Sequence, residues 1–84
     1  MKPLLIVDDE RVIVQGLRQL LGYLDIPAIG PVKGTTSPRE ALRIANEIEP
    51  EIVITDVRMP YIDGFELIEK LRARGYQDTQ YIVL

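Results

Sequence analysis

Eighty-four residues bound the chain to one small domain, and 46% hydrophobic with 27% charged residues is the balance of a folded rather than a disordered protein. Ten basic against thirteen acidic residues leave a net charge of −3, with no cluster of Lys or Arg to grip a phosphate backbone. Cysteine and histidine are both absent, which excludes disulfide staples, thiolate or imidazole metal sites and Ser-His chemistry, and leaves carboxylates, hydroxyls, lysine or a hard cation.

The first element is the apolar run Leu4-Leu5-Ile6-Val7, cut off by Asp8-Asp9-Glu10. Unbroken rather than alternating hydrophobicity predicts a strand covered on both faces, as in a parallel sheet. Four residues are too few for a signal peptide or a membrane span, so the chain is expected to be cytoplasmic and to make no membrane contact. From Arg11 the period changes: Ile13, Leu17, Leu20, Leu21 and Leu24 fall on one face of a helix, and the acidic run before it suits the positive end of the helix dipole. Gly22 and then Asp25-Ile26-Pro27 mark its end.

Ala28 to Lys33 reads as a weak strand, placed at a sheet edge because Pro31 cannot donate to a ladder on its blocked side. Ser37-Pro38-Arg39-Glu40 predicts a helix start with a capping box, and Ala41, Leu42, Ala45 and Ile48 supply a short amphipathic face before Pro50. Ile52 to Thr55 is the second strong strand. Asp63-Gly64-Phe65-Glu66 is another capping-box arrangement, opening a helix whose apolar side is Phe65, Leu67, Ile68 and Leu71 and which Gly75 closes. Tyr81 to Leu84 reads as a last apolar strand. Strands alternating with helices through short connections predict right-handed βαβ units, hence an α/β fold with a parallel sheet.

In such a sheet ligands collect beyond the carboxyl ends of the strands, where strand order reverses. Asp8 and Asp9 leave the first strong strand, and Asp56 leaves the other. If the two strands are neighbours, the three carboxylates converge; either some are protonated at neutral pH or a cation sits among them. With no nitrogen or sulfur ligand available, the cation would be Mg²⁺, Mn²⁺ or Ca²⁺. Taken singly, each motif is more often a helix cap or a turn, and only the combination and its spacing point to a site.

"LLIVDDE", "ITDVRMP" and "DGFELIEKLR", in that order and spacing, resemble the receiver domain of two-component response regulators, especially receivers that precede AraC-type DNA-binding domains. The resemblance spans the whole chain. It implies a flavodoxin-like doubly wound parallel sheet, with Asp56 as phosphoacceptor for a histidine kinase and Mg²⁺ as cofactor. The ion would be bound by Asp9, Asp56 and the backbone carbonyl of Arg58, with Asp8 acting mainly through a water. It further implies a regulator of transcription rather than a turnover enzyme, reaching DNA only through an output domain outside these residues. Met59-Pro60 would stiffen the loop that carries Arg58.

The family pattern runs on past Leu84 with a Ser or Thr, a helix, a fifth strand ending in lysine and a final helix. The expectation is therefore that residues 1–84 are the N-terminal part of a single receiver domain, or that the chain completes its sheet by pairing or strand-swapping with a second copy as a homodimer. Two other readings compete. One is a pseudo-receiver that keeps the fold for interaction and is not phosphorylated. The other is an aspartate-nucleophile phosphohydrolase, disfavoured because Arg58 stands where such enzymes place a second Asp. Tyr61, Tyr76 and Tyr81 are assigned packing or exposure alone.

Overall fold

Four strands and three helices alternate in the computed structural model, which describes residues 1–84. They are β1 (Lys2–Val7), α1 (Arg11–Leu24), β2 (Ile29–Thr35), α2 (Pro38–Ile48), β3 (Ile52–Thr55), α3 (Gly64–Ala73) and β4 (Gln80–Val83). The strands form one sheet in the order β2-β1-β3-β4, every pair parallel. The alternation predicts the parallel α/β sheet, and its arrangement is the doubly wound, flavodoxin-like one that the resemblance implies, with four strands and three helices. The order reverses between β1 and β3.

β1 is central, and Leu4 to Val7 are buried on both faces of the sheet, as its unbroken hydrophobicity requires. Leu5 and Val7 point to one side, where they meet Val53 of β3, Ala41, Ile44 and Ala45 of α2, and Leu67 and Leu71 of α3. Leu4 and Ile6 point to the other, against Val14 of α1, with Leu17, Leu21, Ile52 and Ile54 packed around them. Burying each Leu, Ile or Val side chain contributes about 1.5–3 kcal/mol, so the first cluster, with six of these among its eight buried members, carries most of the core. β2 is an edge strand, and its pairing with β1 slips between Lys2 and Leu4, where Gly30 and Pro31 lie.

Two apolar helix faces are only partly used, and one capping expectation needs correction. Of the apolar stripe assigned to α1, Ile13, Leu20 and Leu24 are exposed, and the helix seats itself through Val14, Leu17 and Leu21 instead. The cause is lateral placement. α1 lies over β1 and β2, and no element covers the same face of β3 and β4. Phe65 is likewise exposed, while Leu67 and Leu71 turn inward. At the start of α2, Ser37 accepts from the Glu40 N–H at 3.3 Å, but no reciprocal bond forms because the Ser37 N–H is taken by Thr35 Oγ1 at 3.1 Å. The capping box of α3 is complete: Asp63 Oδ1 accepts from the Glu66 N–H at 2.8 Å, and Glu66 Oε1 accepts from the Asp63 N–H at 3.5 Å.

Two tyrosines fasten the chain between α3 and β4 to the body. Tyr76 donates its hydroxyl to the Ala45 carbonyl at 2.9 Å, and Tyr81 donates to the Tyr76 carbonyl at 2.8 Å. Burial pushes the Tyr81 phenol above its ordinary range. Gly75, with φ of 106°, makes the reversal after α3 that a side chain would strain.

Candidate functional site

The switch point of the sheet lies beyond Val7 and Thr55, which are register partners at the carboxyl ends of β1 and β3. The next residues along each strand are Asp8 and Asp56. Both are held by the sheet's own hydrogen bonding: the Asp56 N–H donates to the Val7 carbonyl at 3.0 Å, and the Asp8 N–H to the Thr35 carbonyl at 3.3 Å. Neither carboxylate is delivered by a free loop. Asp9 follows one residue on, so three carboxylate groups meet, each offering an oxygen within 4.8 Å of those of the other two.

Burial grades across the cluster. Asp8 is buried, Asp56 half-buried and Asp9 exposed. Asp8 Oδ1 accepts from the Glu10 N–H at 2.9 Å, which also turns the chain into α1 without any side-chain cap from Glu10 itself. Asp56 Oδ1 accepts from the Val57 N–H at 2.8 Å. Each bond fixes the rotation of its carboxylate and leaves the second oxygen free for the cluster. The single ion pair of the chain joins Arg43 to Glu47 on α2, so no cation of the protein neutralises these three groups.

The electrostatic consequence falls on Asp8. Desolvation by burial raises its pKa above the ordinary carboxylate range; the Glu10 N–H opposes that, and the negative charges of Asp56 and Asp9 add to it. A trio of unpaired carboxylates with no nitrogen or sulfur donor among them is suited to a hard divalent cation with oxygen ligands. Arg58 lies two residues past Asp56 with its side chain exposed. Its carbonyl accepts no hydrogen bond from the backbone or from any side chain.

The loop that carries Asp56 is held by contacts that periodicity does not reveal. Thr55, fully buried, donates its hydroxyl to the Asp56 carbonyl at 3.0 Å. Gly64, the first residue of α3, sends its N–H to the Val57 carbonyl at 2.8 Å. A Cβ at Gly64 would drive into the Asp56 carbonyl oxygen and come within 3.1 Å of the Asp56 carbonyl carbon. Asp63-Gly64 is legible in sequence as a helix start; that the glycine also lets α3 close on the backbone of Asp56 is not. Tyr61, fully exposed at the tip of the same loop, holds a left-handed φ of 76°.

Residues 4–84 match the family model for the response regulator receiver domain. Among curated relatives, an uncharacterized response regulatory protein of Staphylococcus epidermidis is 37% identical over 79 residues, covering 94% of this chain and 30% of that protein. Transcriptional regulatory protein YdfI of Bacillus subtilis is 34% identical over 84 residues, covering 100% of this chain and 38% of that protein. In three dimensions the chain is similar to the chemotaxis protein CheY4 of Vibrio cholerae, with a TM-score of 0.88, 30% identity, and coverage of 99% of this chain and 67% of that one. It is also similar to a two-component transcriptional regulator AraC from Clostridium phytofermentans, with a TM-score of 0.87, 30% identity and coverage of 99% and 65%. The chain thus spans about a third of the length of these curated relatives.

Proposed function

The chain belongs to the response regulator receiver domain family of two-component systems, and from that membership we propose that Asp56 is its phosphoacceptor, charged from the phosphohistidine of a histidine kinase. The free oxygen of Asp56 attacks phosphorus, the bond from phosphorus to the imidazole nitrogen breaks, and an acyl phosphate remains on the chain. The Val57 N–H holds Oδ1, so the second oxygen is the one presented to the donor. The product is the modified protein itself, which makes this a switch rather than a turnover enzyme.

Asp9 and Asp56, with the Arg58 carbonyl, are the residues that would hold Mg²⁺, and Asp8 would contribute through a water. When bound, the ion supplies positive charge to the phosphoryl oxygens, which lets an anionic donor approach an anionic nucleophile. The chain's own part is positional. β1 and β3 are neighbours, so their ends place the carboxylates together, and Gly64 lets α3 close on the Asp56 backbone. Relatives named as transcriptional regulators support an output in gene control, exerted through a DNA-binding segment outside these residues.

The observation that carries this reading is the gathering of three carboxylates within 4.8 Å at the switch point, with no protein cation paired to any of them. The test is intact-mass spectrometry after incubation with Mg²⁺ and acetyl phosphate. One added phosphoryl group is expected, lost on chelation and lost in Asp56→Asn. No labelling in the presence of Mg²⁺ would favour an unphosphorylated interaction module, and steady phosphate release over many turnovers would favour a phosphohydrolase.

A further inference from the structure

Tyr61 places a bulky ring where the backbone tolerates one poorly. Its φ is 76°, and the Ile62 N–H donates to the Pro60 carbonyl at 2.9 Å across it, so Tyr61 is the central residue of a γ-turn of the rare, strained form. Glycine takes such a φ freely, and asparagine or aspartate more readily than an aromatic residue. The strain serves no packing, because the side chain is fully exposed. Strained residues of this kind concentrate at ligand sites, where a loop holds a side chain in place for what it binds.

Tyr61 also lines a groove of about 680 Å³ between the start of α2 and α3, within the ~300–1,000 Å³ usual for small-molecule sites. Leu42 and Ile62, both half-buried, give the groove an apolar floor, and Arg39 and Lys70 are its exposed charged members. No carboxylate lines it, although acidic residues outnumber basic ones by thirteen to ten in the chain. Neither cation is engaged elsewhere, since the single ion pair joins Arg43 to Glu47. Ser37 adds a donor, because its Oγ accepts from the Glu40 N–H and its own proton remains free. A second groove, of about 640 Å³ along α1 and β2, is lined by Arg18 and Asp25 together and so selects neither sign of charge. The groove at Tyr61 is walled by helices that the sheet already holds. α2 is seated on β1 and β2 and meets α3 from there, which puts the groove on the β2 side of α3, away from β4.

We infer that this groove binds a small organic anion with a flat apolar ring. The ring lies against Tyr61 over Leu42 and Ile62, and the anionic group answers Arg39, Lys70 and the Ser37 hydroxyl. Length favours a small molecule over an acidic peptide. The α2 wall runs only from Ser37 to Leu42, about 8 Å of helix, which suits a two-ring molecule, whereas five residues of extended peptide need about 17 Å. The inference does not depend on any chemistry at Asp56.

The test is a two-dimensional amide NMR titration of the chain with 2-naphthoate, in EDTA so that no metal ion draws the carboxylate. Saturable, one-to-one shifts are expected at Ser37, Leu42, Ile62 and Lys70. 2-Naphthamide, which has the same shape without the charge, is expected to bind about 5–10-fold more weakly, and Arg39→Gln combined with Lys70→Gln should erase that difference. Tyr61→Gly should weaken 2-naphthoate about 5–10-fold while the thermal midpoint holds or rises, because glycine accepts the left-handed φ. That split between affinity and stability is one that a merely structural tyrosine would not give. Shifts that do not saturate, or that centre on α1 and β4, would overturn the inference, as would equal binding by Tyr61→Gly. A peptide such as Glu-Glu-Tyr-Glu-Glu that shifts the same amides at lower concentration than 2-naphthoate would also overturn it and assign the groove to a partner chain.

Discussion

Asp8→Asn should make the metal-free protein more stable. Asp8 is buried, unpaired with any cation, and has carboxylate oxygens of Asp9 and Asp56 within 4.8 Å. Two unit charges at that separation repel by about 0.9 kcal/mol in bulk water and about 3.5 kcal/mol at an effective dielectric of about 20. A site open on the Asp9 side lies toward the lower end, so removing the Asp8 charge should add about 1–2 kcal/mol. Asparagine keeps the Oδ1 acceptor for the Glu10 N–H, so the turn into α1 is not sacrificed. With an m-value of about 1 kcal/mol/M for a domain this small, the urea midpoint in excess EDTA should rise by about 1–2 M.

The pH dependence has a definite sign. The folded-state pKa of Asp8 is raised above the ordinary 3.8, so the native protein holds this proton more tightly than the unfolded chain. Wild-type stability therefore falls as pH climbs from about 3.8 through the raised value, and the advantage of Asp8→Asn should open across that window and close below it. Mg²⁺ should narrow the gap: at about ten times its dissociation constant it adds about 1.4 kcal/mol to the wild type, and less to a variant missing a ligand charge. If Asp8→Asn lowers the urea midpoint in EDTA, the carboxylate is stabilised where it sits, and the case for an electrostatically frustrated cluster fails.

Gly64→Ala should destabilise the fold by about 1–3 kcal/mol, because the new methyl group meets the Asp56 carbonyl and α3 must back away. Thermal unfolding checks the stability, and slower acetyl-phosphate labelling would show that the loop had moved. Tyr81→Phe should cost about 0.5–1.5 kcal/mol at neutral pH, from loss of the bond to the Tyr76 carbonyl. The raised Tyr81 pKa means that the native state retains the phenolic proton while the unfolded chain loses it near 10.0, so wild-type stability drops as pH rises beyond that value. Urea midpoints across alkaline pH should fall more gently in Tyr81→Phe.

The fold was readable because its strongest cues are local. An unbroken apolar run ending in acid, as in Leu4–Val7, describes a doubly covered strand, Ile52–Thr55 is a second strong strand that also ends in an aspartate, and β1 and β3 are indeed neighbours. The juxtaposition of Asp8, Asp9 and Asp56 followed from that one pairing. What escaped the sequence depended on distance through space. The periodicity of α1 reveals an apolar arc but not how much of it a sheet will cover, and Ile13, Leu20 and Leu24 stand outside. Glu40 satisfies the spacing of a capping box, yet Thr35, two residues before Ser37, reaches the Ser37 N–H instead. Gly64 looks like any residue following a helix cap until α3 is seen against the Asp56 backbone. Tyr76 and Tyr81 carry no motif, and their bonds to backbone carbonyls appear only once the chain is folded.

The central claim is that Asp8, Asp9 and Asp56 form one divalent-cation site, and Mn²⁺ titration followed by electron paramagnetic resonance addresses it without requiring phosphorylation. A single saturable site per chain is expected, displaced by Mg²⁺ and lost in both Asp9→Asn and Asp56→Asn. Binding that is absent, unsaturable, or unchanged by either substitution would contradict it.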